Sequence, residues 1–518
     1  MILDEVAATQ QIGFPILTIL TFLPIVGAVA IWLFQKDEDL IRKSALAVAG
    51  LELFISVLLM WNFTPNSAQI QFSERADWIP AIGVGYHMGV DGINVLFIPL
   101  TAFLIFLIMV YSWDTERNLL KPYLMALLGL EGTIVGVFAS LDLILFFFFW
   151  ELMLVPSYFL IKLWGTGPNR QYAALKYVLY TLTGSVLMLV GMVLLNLNYH
   201  AAAVASHTEP LYSFDFIDLL NVPVPPEKQA LIFFLMFFGF AFKAPVFPFH
   251  TWLPTALVEG PIVMSVLLAG VKLGTFGFIR FTIPLLPEAS KDWFWLMAGL
   301  GLVAIIYGAL IALVQTDFRR LLAYSSISHL GFVMLGLFAL NFQGLQGSLL
   351  QMINLGFSTA GLFFMAGFLY NRTGSADLSA YGGLARHVPL LATFMLVLGL
   401  ASIGLPGTNG FIGEFLILLG AFRAHWALAA IGVLGVILGA AYFLWYYERA
   451  FFGPMTHEPK RPLYDLRPRE WGIAVALCVM VLWIGLYPAP FLNMINGSVQ
   501  ALADRVQQGS VVQAVQKP

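Results

Sequence analysis

Six ionisable residues sit where the chain is otherwise apolar: Glu131, Glu151, Lys243, Lys272, His329 and Glu414. Lys243 interrupts LIFFLMFFGFAFKAPVFPFHTWLP, and Lys272 interrupts MSVLLAGVKLGTFGFIRF. A charged side chain at the centre of a bilayer helix costs ~2.5–3.5 kcal/mol even on the lenient insertion scale. Carboxyl, ammonium and imidazole groups placed at that cost are the groups that pass protons or ions. The expected chemistry is translocation along a buried row.

Glu151 follows Phe146 to Trp150 near the middle of its segment. A buried carboxylate is stable as a charge only beside a cation, so Glu151 and Lys243 are predicted to form a coupled pair. Two separate structural ion pairs are the competing reading. Lys272 comes next as a relay, since buried lysines exchange their proton readily. His329, in AYSSISHLGF with Ser325, Ser326 and Ser328, reads as a proton relay or as a satisfied core histidine. Glu414 ends the row. Glu131, in GLEGTIVG, is the candidate for a connection to a neighbouring subunit. His250 reads as a helix-end structural residue, and Arg319 and Arg320 as positive anchors at the inner interface. No Asp, Glu or His cluster has metal-ligand spacing, so no metal and no cofactor is expected in this chain.

These groups must be held by membrane helices. Of 518 residues, 60% are hydrophobic and 11% charged, and the mean hydropathy is +0.85. The expected fold is an all-α polytopic membrane protein. Apolar runs predict fourteen spans near 13–34, 41–62, 92–112, 122–140, 142–161, 171–198, 229–251, 258–285, 292–315, 321–340, 344–371, 388–421, 424–448 and 471–495. Lys and Arg gather after the odd-numbered spans (Lys36, Arg42, Lys43, Arg319, Arg320, Arg372, Arg449). By the positive-inside rule those loops face the cytoplasm, and both termini face the periplasm or lumen. Residues 69–91 read as an outer hairpin turning at Gly83 and Gly85. Residues 199–228 read as an acidic, proline-containing outer loop, and the chain after about 496 as a polar tail, part surface helix or disordered.

The seventh span carries Pro245 and Pro248 just after Lys243, and the twelfth carries Leu405-Pro406-Gly407 ahead of Glu414. Proline breaks a helix, and the freed carbonyls are tolerated in a membrane only against protein or a wet cavity. The breaks lie five spans apart, which predicts two inverted five-helix repeats, helices 4–8 and 9–13, with broken helices 7 and 12. The division is residues 1–112 (helices 1–3 and the hairpin), 113–285, 286–448 and 449–518. The alternative is proline kinks placed by chance.

Several classes are excluded. No like-charged block points to nucleic acid. A single cysteine, Cys478, rules out thiolate-held clusters and disulfides. No glycine-rich phosphate loop follows a strand.

The stretches LFFFFWELMLVPSYFLI, KAPVFPFHTWLP, DFRRLLAYSSISHLGF and LPGTNGFIGEFLIL, with WIPAIGVGYHMGVDGI, resemble the antiporter-like chain M (chain 4) family of NADH-quinone oxidoreductase, respiratory complex I. The resemblance runs from about residue 15 to 495. It implies a fourteen-helix proton-translocating subunit in a bacterial inner membrane or a cyanobacterial thylakoid. Glu151 and Lys243 match the input pair, Lys272 the central lysine, His329 the relay histidine and Glu414 the terminal carboxylate. Quinone, iron–sulfur clusters and flavin would belong to partner subunits. The implied partners are hydrophilic and membrane subunits, including paralogous antiporter-like ones, and the lipid bilayer.

Three departures accompany the resemblance. Leu257 and Leu355 stand where the family has histidines, and the stretch before Lys272 is about two residues short. Ser358, Thr359 or water would bridge the missing relay. The departures open a specialised reading, a cyanobacterial type-1 NAD(P)H dehydrogenase for carbon dioxide uptake with ferredoxin and plastoquinone. A stand-alone cation/proton antiporter module and a non-conducting scaffold are the remaining alternatives.

Overall fold

The apolar runs become helices because no water competes for their backbone groups in a bilayer. The computed structural model describes residues 4–115, 118–207, 211–454 and 463–516. Among them twelve helices are long and apolar enough to cross a membrane. They are α1 (Ile16–Phe34), α2 (Glu38–Asn62), α3 (Phe97–Thr115), α4 (Leu120–Ala139), α5 (Leu143–Trp164), α6 (Arg170–Ser206), α8 (Ile262–Leu285), α9 (Phe294–Leu313), α10 (Phe318–Leu337), α11 (Phe342–Thr373), α13 (Trp426–Phe451) and α14 (Pro468–Leu486). The two remaining spans are the interrupted ones. α7 runs Pro226–Lys243 and resumes at Trp252–Glu259, and α12 runs Pro389–Ser402 and resumes at Asn409–Ala424.

Several boundaries differ from those read in sequence. The second half of α7 continues to Glu259, so α8 begins after Gly260-Pro261 rather than at 258. α14 stops at Tyr487-Pro488 rather than at 495, and a separate helix, α15 (Ala489–Gln516), takes in the end of that expected span and the tail that was read as part surface helix or disordered. α8 is itself broken, at Val271-Lys272 (φ −97°, ψ 61° at Lys272), and has a π-helical turn over Phe278–Thr282. No proline marks that break.

Outside the spans, β2 (Ile70–Ile79) and β3 (Val84–Val90) form the expected antiparallel hairpin. The turn is made by a 3-10 segment, Pro80–Ile82, closed by Gly83 at φ 72°, while Gly85 lies within β3. β1 (Glu5–Ala7) adds a parallel edge strand that was not foreseen. The loop after α6 contains a short helix, Phe216–Asn221, capped by the Asp215 carboxylate.

Helices α8, α10 and α11 form the centre and are buried along nearly their whole length. α1, α2, α13 and α14 turn large apolar side chains outward, among them Phe34, Trp61, Ile437 and Leu486, as a lipid-facing rim requires.

Candidate functional site

Lys243 ends the first half of α7, directly before the break. It is 7% exposed. Its ammonium donates to the Tyr177 hydroxyl at 3.2 Å. It also faces the rings of Trp150 and Tyr177, each 5.3 Å from its Nζ, which hold a desolvated cation. The expected contact with Glu151 is not closed: among the described residues the two form no direct ion pair. Trp150 and Ser185 stand beside Glu151, joined by a 3.1 Å bond from the indole N–H to Ser185 Oγ. Glu151 feels the Lys243 charge, but its buried Oε1 has no hydrogen-bond partner.

Lys272 sits at the α8 break, and the two breaks touch. A Cβ added at Gly274 would stand 2.3 Å from the Ala244 nitrogen, so only glycine lets the backbones meet there. Gly277 gives the Phe240 ring the same access. The result is a cavity of about 40 Å³ lined by Lys243, Lys272, Ser157 and Thr275. A single water needs roughly 10–15 Å³ by this measure, so the space admits water between the lysines. The Lys272 ammonium is buried and makes no hydrogen bond to protein.

His329 on α10 and Glu414 on α12 are brought together. His329 Nδ1 lies 3.4 Å from Glu414 Oε1, a close approach without hydrogen-bond alignment. On its other side, Nε2 meets Ser402 Oγ at 3.2 Å. Gln351 donates to Glu414 Oε1 at 3.3 Å and accepts from the Asn354 amide at 3.2 Å. Asn354 and Asn409 exchange side-chain bonds to each other's carbonyl (2.7 and 3.2 Å), tying α11 to the start of the second half of α12. Gly404, at φ 73°, leaves room for the carboxylate, because a Cβ there would stand 2.6 Å from Glu414 Oε2. Gln351, Asn354 and Ser402 were not singled out in sequence. Their one signal is three uncharged polar residues inside apolar runs.

Between Lys272 and His329 the polar row thins. Leu330, next to His329, lines the lysine cavity. Leu355 is buried, Ser358 bonds back to the Asn354 carbonyl of its own helix, and the buried Thr359 hydroxyl has no partner. No side-chain hydrogen-bond chain spans this stretch among the described residues.

Glu131 on α4 lies beside the row, since Leu130 and Ile134 of the same helix line the lysine cavity. It is fully buried, and neither carboxyl oxygen meets a donor. The same holds for Glu52 on α2, which the sequence reading passed over. His250 is packed on Phe247 with Nε2 3.3 Å from the Tyr307 hydroxyl, consistent with a helix-end role. Arg319 is not an interfacial anchor. It is 4% exposed, and its guanidinium donates to the carbonyls of Leu257 and Gly260, both at 2.6 Å, and to Thr166 Oγ1 at 2.8 Å. It thereby satisfies orphan carbonyls at the end of α7. Arg320 is exposed, as an anchor would be.

The family described as NADH:quinone oxidoreductase/Mrp antiporter, TM, matches residues 140–439. NADH-quinone oxidoreductase subunit M of Rickettsia prowazekii is 39% identical over 500 residues, covering 95% of this chain and 99% of the relative. That of Rhodobacter capsulatus is 39% identical over 513 residues, covering 96% and 99%. A chain of respiratory complex I from Thermus thermophilus superposes with a TM-score of 0.85 at 33% identity, over 95% of this chain and 99% of that one. A chain of the Mrp complex from Dietzia sp. DQ12-45-1b shares the fold alone, at a TM-score of 0.82 and 20% identity over the same shares. Matched over more than half its length by that family, and nearly end to end by M-type subunits, the chain belongs to the NADH:quinone oxidoreductase/Mrp antiporter family, among the relatives of NADH-quinone oxidoreductase subunit M.

Proposed function

We propose that this chain is a proton-translocating membrane subunit of a quinone-reducing, complex I-like assembly. Glu151, Lys243, Lys272, His329 and Glu414 form the path, and Glu131 lies beside it. The observation that carries the reading is the shared cavity: two buried lysines, each at a helix break, face one small space, with the His329–Glu414 contact beyond it. Two ammoniums around one cavity disfavour each other's charge. A shift of Lys243 toward or away from Glu151 therefore changes how tightly Lys272 holds its proton. His329 and Glu414 then pass the proton on, with Gln351 fixing the carboxylate.

Quinone reduction in partner subunits drives the shift. Iron–sulfur clusters reside there as well, since the lone buried Cys478 could not ligate a cluster, and the flavin goes with them. Paralogous antiporter-like subunits flank this chain in the membrane. Residues 113–285 and 286–448 are the two inverted repeats, with the broken helices α7 and α12 in equivalent places. Both ends of the chain face the periplasmic or luminal side, although residues 1–3 and 517–518 lie outside the described ones.

The test is Lys243→Ala in the assembled complex. Quinone-linked proton uptake should fall to background while the complex still assembles. Undiminished pumping would sink the reading. Leu257 and Leu355, in place of the family's histidines, favour one second reading, a carbon-uptake form fed by ferredoxin. Affinity purification of the tagged chain decides between the two. Flavin- and NADH-binding subunits mark the respiratory form, and a carbonic-anhydrase-like partner the other.

A further inference from the structure

A second acidic site lies between α1, α2 and α4, beside the lysine cavity that Leu130 and Ile134 of α4 help to line. Glu52 and Glu131 are each 0% exposed, and none of their four carboxyl oxygens meets a hydrogen-bond donor among the described residues. The nearby hydroxyls are already used. Ser56 Oγ donates to the Leu53 carbonyl at 2.8 Å, and Thr133 Oγ1 to the Leu130 carbonyl at 2.9 Å.

Helix α1 brings the two glutamates to one level. Its Gly27 lies against Val48, one turn before Glu52, where a Cβ would stand 2.8 Å from a Val48 methyl. Its Thr21 carbonyl and Ile25 lie against Gly132, the residue after Glu131, with a Cβ there 2.4 Å from the carbonyl. A short length of α1 thus touches both acidic helices. α2 and α4 also pack directly on each other. α1 also carries Pro24, which has no N–H for the Leu20 carbonyl and leaves one more backbone acceptor at this level.

Such a site has acceptors and no donor. Two bare carboxylates in hydrocarbon are prohibitively expensive, and like charges side by side cannot both persist. A hard metal cation would require six or more oxygens, which these residues do not supply. A proton meets the need with one bond. We propose that Glu52 and Glu131 form a proton-binding carboxyl pair, one side chain held protonated and donating its O–H to the other. The pair is a proton store within the membrane, joined by no hydrogen bond among the described residues to Lys243, Lys272, His329 or Glu414. This goes beyond the function proposed above and does not require that the chain pump.

Infrared difference spectroscopy on the purified whole complex tests it, reading the C=O stretch of protonated carboxyls and its shift in heavy water. A band lost in Glu131→Gln should shift in Glu52→Gln and vanish in the double variant. If the two single variants remove independent bands that add up to the loss in the double variant, the pair is refuted. Should Gln at these positions prevent assembly, Glu52→Asp withdraws one carboxyl by a methylene. It must then move the Glu131 band, and an unmoved band also overturns the proposal. The readout needs no pumping, so its failure is distinguishable from failure of the Lys243 test.

Discussion

Gly274→Ala probes whether contact between the two helix breaks sets the lysine cavity. The added methyl would stand 2.3 Å from the Ala244 nitrogen and 2.6 Å from its Cα, whereas ordinary contact begins at 3.4 Å. Those atoms are backbone, so no side chain can turn aside. The breaks must part by about 1 Å, the difference between an ordinary contact and the one imposed. Overpacking of this kind costs ~1–3 kcal/mol. The helix-propensity gain of Ala over Gly offsets at most about 1 kcal/mol of that. A misplacement of about 1 Å between reacting groups can cost ~10²-fold in rate. Gly299→Ala on α9 is the control, because nothing lies within 4 Å of its Cβ position and the change should be neutral or mildly stabilising. In membrane vesicles holding equal amounts of assembled complex, Gly274→Ala should lower acidification per quinone reduced by at least tenfold. Its thermal midpoint should fall below that of Gly299→Ala. If the two variants pump and melt alike, the contact does not organise the cavity.

Three further outcomes follow from charged contacts. Arg280 and Asp91 make a buried two-pronged ion pair at 2.8 Å. Asp91→Ala should cost ~3–5 kcal/mol by stranding the guanidinium, and Asp91→Ala with Arg280→Met should recover much of the lost thermal stability. Arg319→Lys cannot reach the Leu257 and Gly260 carbonyls and Thr166 with one ammonium. Each lost charged bond is worth ~1.5–3 kcal/mol, so the midpoint should drop, while Arg320→Lys leaves it unchanged. At the hairpin, burial opposes a charged His87, but the hydrogen bond to Asp215 and the Glu5 carboxylate 3.6 Å away outweigh it and raise the ring above its ordinary 6.5. Burial likewise opposes a charged Glu5, yet the His87 ring 3.6 Å away and hydrogen bonds from Arg75 bring it down to about 2. The His87 contribution is full below 6.5 and is lost as pH rises through its raised value. That of Glu5 is full above 4.5 and is lost as pH falls toward 2. Protection of residues 70–90 from amide exchange, corrected for intrinsic rates, should peak between those limits. His87→Gln should flatten the high-pH side, and an unchanged profile would exclude His87 as its cause.

Cost explains what could be read from the sequence. Lys243, Lys272 and Glu414 stand out because a charge in an apolar run is expensive and must have a reason. The breaks in α7 and α12 stand out because Pro245, Pro248 and Pro406 cannot continue a hydrogen-bond ladder. The break in α8 has no such marker. It arises where Gly274 lets two backbones meet, and a glycine in an apolar helix looks the same whether or not something lies against it. Gln351, Asn354 and Ser402 escaped for a related reason. Neutral amides and hydroxyls barely perturb hydropathy, yet they hold Glu414 and His329 in place. Glu52 escaped although it is charged, because α2 begins with Glu38-Asp39-Leu40-Ile41-Arg42-Lys43 and reads as a mixed segment. The Glu151–Lys243 pairing was inferred from chemistry and from the resemblance, and periodicity carries no distance across a bundle. What fills the space there is aromatic: Trp150 and Tyr177 hold the ammonium. Tyr177→Phe separates the two views. If the Tyr177 hydroxyl holds Lys243 away from Glu151, its loss should free the lysine and change the pH profile of pumping while assembly stays intact. If the aromatic faces alone hold it, the profile should not move.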